Sequence, residues 1–539
     1  MKLFRAFCAA LILCASSHGA MAQIVGPGVN PTLSNASLPS ARTNLLGSGA
    51  TVDVTSRQFG AVCDGTTNDS TAIQSAITTY AGIAPVLIPN TGNPCLVSAT
   101  ISVPSNSHII IDGTVKLAAA ANIDVFKIAT SAANVTFEGS GTIDGNSSNQ
   151  TGGTSGGIDS ISASNVTIRD LTIKNTRNWP VNIVGTNTCY LGNLTLINGG
   201  NSVEFAAGST NCWAYGLHIS TITDHGFAFY GGVTHSGIIG GSVSGATGHG
   251  VVVLDDSAQT AASHDITISG VSVSGSTGHG IGVESDNSEP ANYNIVISGN
   301  TLTGNGLGST GAGGVLVDFG INVSITGNVI SDDGSQSSGA TGIKMLGTNN
   351  LISVKNNQIY NEGQGSTSGV GILLSSTCSR CEFEQNAIWD DQGSPTTAFG
   401  FSGTAGSNNS FVNNTGGGTI GHFYNVTFVA SDNVIIPSGS ADANALVAAA
   451  NAGSTTVRNT NNLVELISAG ISTYTLVLPG TSAAPFQQRI SIACTGAIAT
   501  LTITPGTGAT ANGMPTTCAA NTGFTIQYFN NQSAWQRVN

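Results

Sequence analysis

The 539-residue sequence contains little charge, since only 8% of its residues are Asp, Glu, Lys or Arg. This composition excludes a coiled coil, which is rich in Glu and Lys. A hydrophobic content of 40% also excludes a disordered chain, because disorder requires low hydrophobicity. The 28 acidic residues outnumber the 15 basic ones, and the net charge of −13 argues against a nucleic-acid partner.

Long hydrophobic runs are also scarce, and the main one lies at the N-terminus. Lys2 and Arg5 precede an apolar run that is too short to cross a bilayer. Ala20-Met21-Ala22 follows as an A-x-A cleavage signal. We therefore predict a signal peptide over 1–22, an N-terminal extension over 23–49, and a secreted protein, periplasmic or extracellular, without a membrane span.

Ten cysteines occur, and two of them lie in the predicted signal peptide. An even number of remaining cysteines in an exported chain predicts disulfides. We expect them to pair in sequence order, as Cys63 with Cys95, Cys189 with Cys212, Cys378 with Cys381, and Cys494 with Cys518. The C-x-x-C at 378–381 has no second such pair nearby to complete a zinc site, which leaves a structural disulfide or two buried thiols.

Glycine is abundant, with 71 residues, and short alternating segments recur with it. They are VNI at 181, VEF at 203, FAF at 227, VVV at 251, IGV at 281, VLV at 315, IKM at 343, ILL at 372 and FGF at 399. A second series of alternating segments runs in step with them. Alternation predicts half-buried strands, and several strands in each repeat predict a solenoid. The sequence therefore predicts an all-β chain with a parallel β-helix over 50–435.

Turn and cap positions support this architecture. Asparagine recurs at predicted turn positions, namely Asn300, Asn328, Asn357 and Asn386. Asparagine suits such positions because it tolerates a left-handed backbone. In NDSTAIQSAITTY, Asp69 or Ser70 can cap a short helix with one apolar face, which would close the first turn. After 441, short strands and two cysteines predict a small C-terminal β-sandwich over 441–539. This module could bind carbohydrate, form a homotrimer or cap the helix, and the sequence leaves the three open.

The segment RQFGAVCDGTTNDSTAIQSAI at 57–77, followed by VLIPNTGNPCLVSATISVPSN, carries a specific resemblance. It resembles the opening segment of the pectate-lyase-like superfamily, which includes rhamnogalacturonases, polygalacturonases, alginate epimerases and tailspike depolymerases. GSGTIDGN at 139–146 resembles the segment that leads into the β-helix of polygalacturonases. The resemblance implies a right-handed parallel β-helix. It leaves the reaction open, because hydrolases, lyases, epimerases and non-catalytic proteins share this fold.

Outward residues of neighbouring turns stack about 4.8 Å apart in a β-helix, so a functional site should form a stripe across turns. Carboxylates one turn apart would suit a retaining glycosidase, and carboxylates two turns apart an inverting one. Clustered carboxylates also raise one pKa, which supplies a general acid. The predicted catalytic residues are Asp224, His249, Asp255, Asp256, His279 and Glu284.

GHGIGVES at 278–285 also resembles the G-H-G segment of polygalacturonases, although no alignment of the turns gives that family's complete set of acids. The predicted substrate-binding residues are Arg177, Trp179, Trp213, Tyr230 and Lys344. The leading hypothesis is cleavage of glycosidic bonds in an (acidic) polysaccharide without a cofactor.

Two alternatives remain. One is a Ca²⁺-dependent polysaccharide lyase or epimerase, with Lys344 or Arg177 available to abstract a proton. Its calcium ligands would be Asp255, Asp256, Glu284, Asp286 and Asp318. The other is a non-catalytic surface adhesin or fibre protein.

Overall fold

The computed structural model describes residues 51–153, 155–255, 261–285, 291–308, 312–334, 340–362, 369–390, 399–418, 422–428, 434–436, 444–457, 463–468, 470–480, 489–529 and 532–538. The predicted signal peptide and N-terminal extension lie outside these residues. Within them, no helix has the length and apolar character needed to cross a membrane.

Most strands belong to a right-handed parallel β-helix of about 13 turns, which confirms the predicted fold class. One face, sheet 1, contains 13 strands that pair in parallel in sequence order. Its strands are Ile101–Val103, Phe126–Ile128, Ile158–Ile161, Val181–Val184, Val203–Ala206, Phe227–Tyr230, Val251–Leu254, Ile281–Glu284, Gly313–Asp318, Thr341–Leu346, Val370–Leu374, Phe399–Ala405 and His422–Phe428.

Sheet 2 follows sheet 1 along each turn. Its strands are Val52–Asp53, Val86–Ile88, His108–Ile111, Ala133–Glu138, Ser164–Arg169, Asn187–Gly192, Thr210–Ser220, Thr234–Ser244, His264–Ser269, Tyr293–Ser298, Ile321–Thr326, Asn349–Asn350, Ser353–Lys355, Cys378–Ser379, Glu382–Glu384, Ser410–Val412 and Val434–Ile436. The two 11-residue strands at 210 and 234 run on into sheet 3.

Sheet 3 completes each turn before the chain returns to sheet 1. Its other strands are Cys95–Val97, Thr114–Leu117, Thr142–Asp144, Thr172–Thr176, Thr195–Gly199, Ser272–Ser274, Thr301–Thr303, Val329–Ser331, Gln358–Tyr360, Ala387–Asp390 and Thr415–Gly418. Alternate side chains of all three sheets point inward and form one hydrophobic core that runs from Val54 to Phe411. The four disulfides join the cysteines in the predicted order.

The recurring asparagines have a role that the sequence did not predict. Asn300, Asn328, Asn357 and Asn386 are buried, and their backbone is not left-handed. Each side chain instead bonds to the next turn: Asn328 Oδ1 accepts the Asn300 backbone N–H at 2.9 Å and its Nδ2 at 3.0 Å. The Nδ2 of Asn300 also donates to Ile268 O at 3.0 Å. This asparagine ladder satisfies buried polar groups at one corner of the helix.

The helix α1 (Ser70–Tyr80) closes the first turn, as predicted, with Ile73, Ala76, Ile77 and Tyr80 buried. Its cap differs from the prediction. Asp69 makes no capping bond, because its carboxylate accepts backbone N–H groups such as that of Val62 at 2.7 Å. Asn68 Oδ1 accepts the Ser70 N–H at 3.1 Å instead. A 3-10 turn lies at Ser147–Asn149.

The C-terminal module has two sheets around a second hydrophobic core. One sheet contains Asn444–Ala448, Leu463–Ile467, Arg489–Cys494, Thr510–Asn512, Thr522–Phe529 and Ala534–Arg537, and the other contains Gly453–Thr456, Ile471–Val477 and Ile498–Thr504. The predicted β-module is therefore present. Its first six strands pair in parallel, unlike those of an immunoglobulin-type sandwich. Trp535, buried in this core, donates from Nε1 to Pro479 O at 3.0 Å.

Candidate functional site

The outer face of sheet 1 carries a row of polar side chains at one register position. Lys127 pairs with Asp159, Asp159 with Asn182, and Asn182 with Glu204 on successive strands. Because rungs of a sheet lie about 4.8 Å apart, these four side chains occupy consecutive levels along the helix. Inward residues on the same strands, such as Ile183 and Phe205, belong to the core and hold the row in place.

Asp159 is held by both of its neighbours in this row. Its Oδ2 lies 3.2 Å from Lys127 Nζ, and its Oδ1 accepts a hydrogen bond from Asn182 Nδ2 at 3.0 Å. The carboxylate is nearly buried, with a side chain only 10% exposed. Its negative charge is therefore paired, and its orientation is fixed from two sides.

Glu204 lies in a different environment. Burial, together with the negative charges of Asp224 and Asp159, raises the pKa of Glu204 to about 7. Hydrogen bonds from the Trp179 and Ser202 side chains act in the opposite direction, the latter at 3.3 Å. Glu204 is therefore substantially protonated at neutral pH and can donate a proton, as a general acid must.

A cavity of about 220 Å³ opens beside this row. Its lining includes Lys127, Asp159, Asn182 and the indole of Trp179. Sites for whole drug-sized ligands measure about 300 to 1,000 Å³. The cavity is therefore of a size for one part of a longer ligand that continues along the sheet.

Three histidines continue the polar surface at the corner where the chain enters sheet 1. The rings of His225 and His249 stack at 5.1 Å, and those of His249 and His279 at 5.6 Å. The Nδ1 of each ring accepts a backbone N–H of the next turn, from His249, His279 and Gly313 in order, at 2.8 to 3.0 Å. Whenever one of these rings is neutral, its proton is therefore on Nε2. Burial, followed by the charge of His249, lowers the pKa of His279 to about 3.

Glu284 reaches this histidine ladder from the next turn. Its Oε1 lies 2.7 Å from His249 Nε2. Gly282 makes the approach possible, because a Cβ added there would lie 2.8 Å from the same oxygen. Burial favours a raised pKa for Glu284, but the hydrogen bond and the charge of His249 outweigh it and lower the pKa.

Asp224 connects the row from Lys127 to Glu204 with the three histidines. Its charge acts on Glu204, and its Oδ1 lies 3.8 Å from His225 Nε2. Its side chain is 43% exposed, so that it borders the solvent. We call the whole surface the polar strip, and it comprises Lys127, Asp159, Asn182, Glu204, Asp224, His225, His249, His279 and Glu284.

The predicted catalytic set is only partly assembled here. Asp224, His249, His279 and Glu284 lie in the polar strip. Asp255 turns away from it: the backbone N–H and the hydroxyl of Ser263 donate to its carboxylate at 3.2 and 3.3 Å. Burial raises the pKa of Asp255 to about 6 against these bonds. Its position is that of a residue that closes a turn.

The alternative calcium set is not brought together by the described residues. Glu284 and Asp318 are register partners on adjacent strands. Asp255 faces Ser263 instead, and Asp256 and Asp286 lie outside the described residues. Among the residues that the structure describes, one group of three metal-type ligands is close enough to share an ion, and two of its members are the disulfide-bonded Cys63 and Cys95.

The predicted substrate-binding residues separate into two locations. Trp179 lines the cavity, Tyr230 ends a strand of sheet 1, and Lys344 occupies the same register row as Glu204 on a later strand. Arg177 lies near Trp179, where its Nη1 donates to Gln150 O at 3.0 Å. Trp213 lies on sheet 2, and therefore on another face of the helix.

Asp159 and Glu204 were missed by the sequence analysis. The signal was present, because VEF at 203 is one of the repeated segments, and its central residue points outward as Asn182 does in VNI. Asp159 occupies the same position in IDSI. Aligning the central residues of these segments, rather than the residues that flank them, would have identified both carboxylates.

Comparisons with known proteins support the fold. No protein-family model matches the chain, and no curated protein does. Among solved structures, the chain is similar to the A-module of the Azotobacter vinelandii mannuronan C-5 epimerase AlgE6, with 20% identity and a TM-score of 0.50 over 72% of this chain and 99% of that one. It is also similar to the Dettilon tailspike protein, with 16% identity and a TM-score of 0.51 over 71% and 70% of the two chains.

A third similar structure is the pre-mature gene product 12 of bacteriophage phi29, with 15% identity and a TM-score of 0.52 over 87% of this chain and 73% of that one. Identities at this level establish a shared fold only. The chain therefore has a right-handed parallel β-helix fold, which the resemblance of residues 57–77 implied.

Proposed function

We propose that this protein is a secreted enzyme that hydrolyses glycosidic bonds in a polysaccharide bound along the polar strip. One observation carries the proposal: Glu204, with a pKa raised to about 7, lies two turns from the charge-paired Asp159. Two turns correspond to about 9 to 10 Å, close to the upper end of the separation of about 6.5 to 9.5 Å in inverting glycosidases.

The two carboxyl groups divide the reaction between them. Glu204 donates its proton to the glycosidic oxygen as the bond from that oxygen to the anomeric carbon breaks. Asp159 removes a proton from a water molecule, whose oxygen forms the new bond to the anomeric carbon from the opposite side. The product is a sugar of inverted configuration, and the two carboxyl groups exchange protons with solvent before the next cycle.

Neighbouring residues supply orientation and binding. Lys127 and Asn182 hold the Asp159 carboxylate in one orientation through the 3.2 and 3.0 Å contacts. Trp179 offers an aromatic surface at the cavity and also bonds to Glu204, so it connects substrate binding with the acid. The remainder of the polar strip, from Asp224 to Glu284, provides hydrogen-bonding groups for further sugar units.

A polysaccharide panel tests the proposal. The protein is incubated with neutral and uronate-containing polymers, and released reducing ends are measured with and without EDTA. We expect reducing ends that do not depend on EDTA, and NMR of the first product should show inversion at the anomeric carbon. Glu382→Gln, an exposed change on sheet 2, serves as the matched control and should keep full activity. A retained configuration, or no product from any polymer, contradicts the proposal.

A second candidate is a lyase or epimerase acting on uronates. Lys127 favours it, because an ammonium group beside Asp159 can pair with a uronate carboxylate. The same panel separates the two reactions. Ultraviolet absorption from unsaturated ends indicates a lyase, and a changed uronate composition without chain cleavage indicates an epimerase. The non-catalytic alternative predicts binding without either product.

A further inference from the structure

Trp213 belongs to an aromatic cluster on sheet 2. The aromatic patch consists of Tyr190, Trp213 and Tyr215. The rings of Tyr190 and Tyr215 are 5.5 Å apart with planes inclined by 28°, and those of Trp213 and Tyr215 are 6.2 Å apart and inclined by 25°. Tyr190 and Tyr215 are exposed large hydrophobic residues, at 38% and 36%.

Two glycines provide the space for these rings. A Cβ added at Gly192 would lie 2.5 Å from Tyr190 Cε1, and one added at Gly237 would lie 2.6 Å from Trp213 Cζ3. Each ring therefore covers backbone where an outward side chain would otherwise project. The rings are set against the sheet, which limits the conformational entropy that they lose when a ligand binds.

The charged groups next to the patch are already paired. Arg169, the register partner of Gly192, forms salt bridges with Glu138 and with Asp170, the latter at 3.0 Å. In the row of Tyr190 and Trp213 the flanking side chains are hydroxyls, Thr167 on one side and Thr267 beyond Gly237 on the other. The aromatic patch and its row therefore offer aromatic faces and hydroxyl groups to a ligand. The charge of the neighbouring Arg169 is compensated by its salt bridges. This chemistry suits the apolar faces of uncharged sugars better than carboxylated ones.

The patch also lies at the level of the proposed active site. Tyr190 follows the strand Val181–Val184, which carries Asn182, and Trp213 and Tyr215 follow the strand of Glu204. The patch therefore lies on the same two turns as Asn182 and Glu204 of the polar strip, but on the neighbouring sheet. A polymer held by the patch would be concentrated near Glu204 without occupying the cavity that Trp179 lines.

We propose that the aromatic patch is a second carbohydrate-binding surface that holds an uncharged stretch of polysaccharide. The proposal deepens the proposed function, since it takes the partner to be a polysaccharide, but it does not depend on the chemistry at Glu204. Stacking of sugar faces on the rings supplies the affinity, and the hydroxyl row supplies hydrogen bonds.

Affinity electrophoresis of the whole protein tests it, with native gels that contain hydroxyethyl cellulose as the neutral polymer and alginate or polygalacturonate as charged ones. We expect hydroxyethyl cellulose to retard the wild type most strongly. Tyr190→Ala combined with Tyr215→Ala should weaken that retardation about tenfold, because two stacking surfaces for the sugar are removed. Trp389→Ala, which removes a 45% exposed aromatic from sheet 3, is the matched control and should change nothing.

A second measurement covers the case in which the double variant is unstable. Trp213→Phe keeps a ring in place, so retardation by hydroxyethyl cellulose should persist, while the change in tryptophan fluorescence that this polymer induces should become smaller because Trp213 no longer contributes to it. Any of four results overturns the proposal. The first two are equal retardation of the wild type and the folded double variant, and stronger retardation by the charged polymers. The other two are no retardation by any polymer, and an unchanged fluorescence response in Trp213→Phe. Glu204→Gln separates it from the proposed function, because this variant should lose hydrolysis and keep the retardation.

Discussion

Glu204 lies two turns beyond Asp159 on the outer face of sheet 1, with Asn182 between them in the same register row. The two carboxyl groups meet opposite conditions. Lys127 and Asn182 pair with Asp159, whereas burial and two nearby negative charges keep the proton on Glu204. Different environments for two carboxyl groups at this separation are what an acid and a base require.

The pH dependence of activity should follow Glu204. Its pKa of about 7 predicts that kcat falls as pH rises through 7, because the ionised group cannot donate a proton. Trp179→Phe keeps the burial but removes a hydrogen bond that lowers this pKa, so the alkaline limb should move to higher pH. The measurement is kcat against pH for both proteins. An alkaline limb that does not move in the variant contradicts the assignment.

The stability of the helix should depend on Asp333. Asn305 and Asp333 occupy equivalent corner positions after register-paired strands. Asn305 Nδ2 donates a hydrogen bond to Val273 O at 3.2 Å. The equivalent atom of Asp333, Oδ2, is buried without a hydrogen-bond partner, and it can donate a hydrogen bond only when the carboxyl group is protonated. Burial raises the pKa of Asp333 to about 7. A protonated Asp333 therefore replaces an asparagine at this corner.

Because the pKa of Asp333 is higher in the folded protein than in the unfolded chain, Asp333 stabilises the fold at low pH. The contribution is complete below the unfolded value of 3.8 and is lost as pH rises toward about 7, on the order of 4 kcal/mol in all. Asp333→Asn should remove this loss, so the variant should be more stable than wild type at pH 8 and similar to it near pH 4. Denaturant midpoints at both pH values measure the effect, with Asp170→Asn on the exposed surface as control. A variant that is no more stable at pH 8 refutes it.

The asparagine ladder should contribute to stability through its continuity. Asn328→Ala removes the acceptor of two bonds from Asn300 and the donor to Ile297 O. Buried groups left unpaired cost about 1 to 3 kcal/mol each, so we expect a loss of about 3 kcal/mol. Urea denaturation measures it. Asn187→Ala, an exposed change on sheet 2, should stay within about 0.5 kcal/mol of wild type, and equal losses in both variants would count against the ladder.

Much of the fold could be predicted from sequence because it is periodic. Alternation at recurring spacings defines strands and turns, and the helix near Ile73 has an apolar face of its own. The asparagine ladder could not be predicted, because a buried amide bonded to the next turn and an asparagine in left-handed backbone produce the same spacing in sequence.

The candidate site was harder to predict than the fold. His249, His279 and Glu284 were predicted because the repeat does not require them. Asp159 and Glu204 were missed because they lie at the centres of strands, whereas the predicted site residues were sought among those that flank the strands. Asp255 illustrates the opposite case, since a carboxylate after a strand can turn toward a neighbouring hydroxyl such as that of Ser263.

The rate of reducing-end release by Glu204→Gln, measured near pH 6 on a polymer that the wild type cleaves, tests the central claim most directly. The amide keeps the size and hydrogen bonding of the side chain but cannot donate the catalytic proton. We predict a rate at least about 100-fold below wild type, with an unchanged melting temperature. A folded Glu204→Gln protein that releases reducing ends at the wild-type rate would contradict the account.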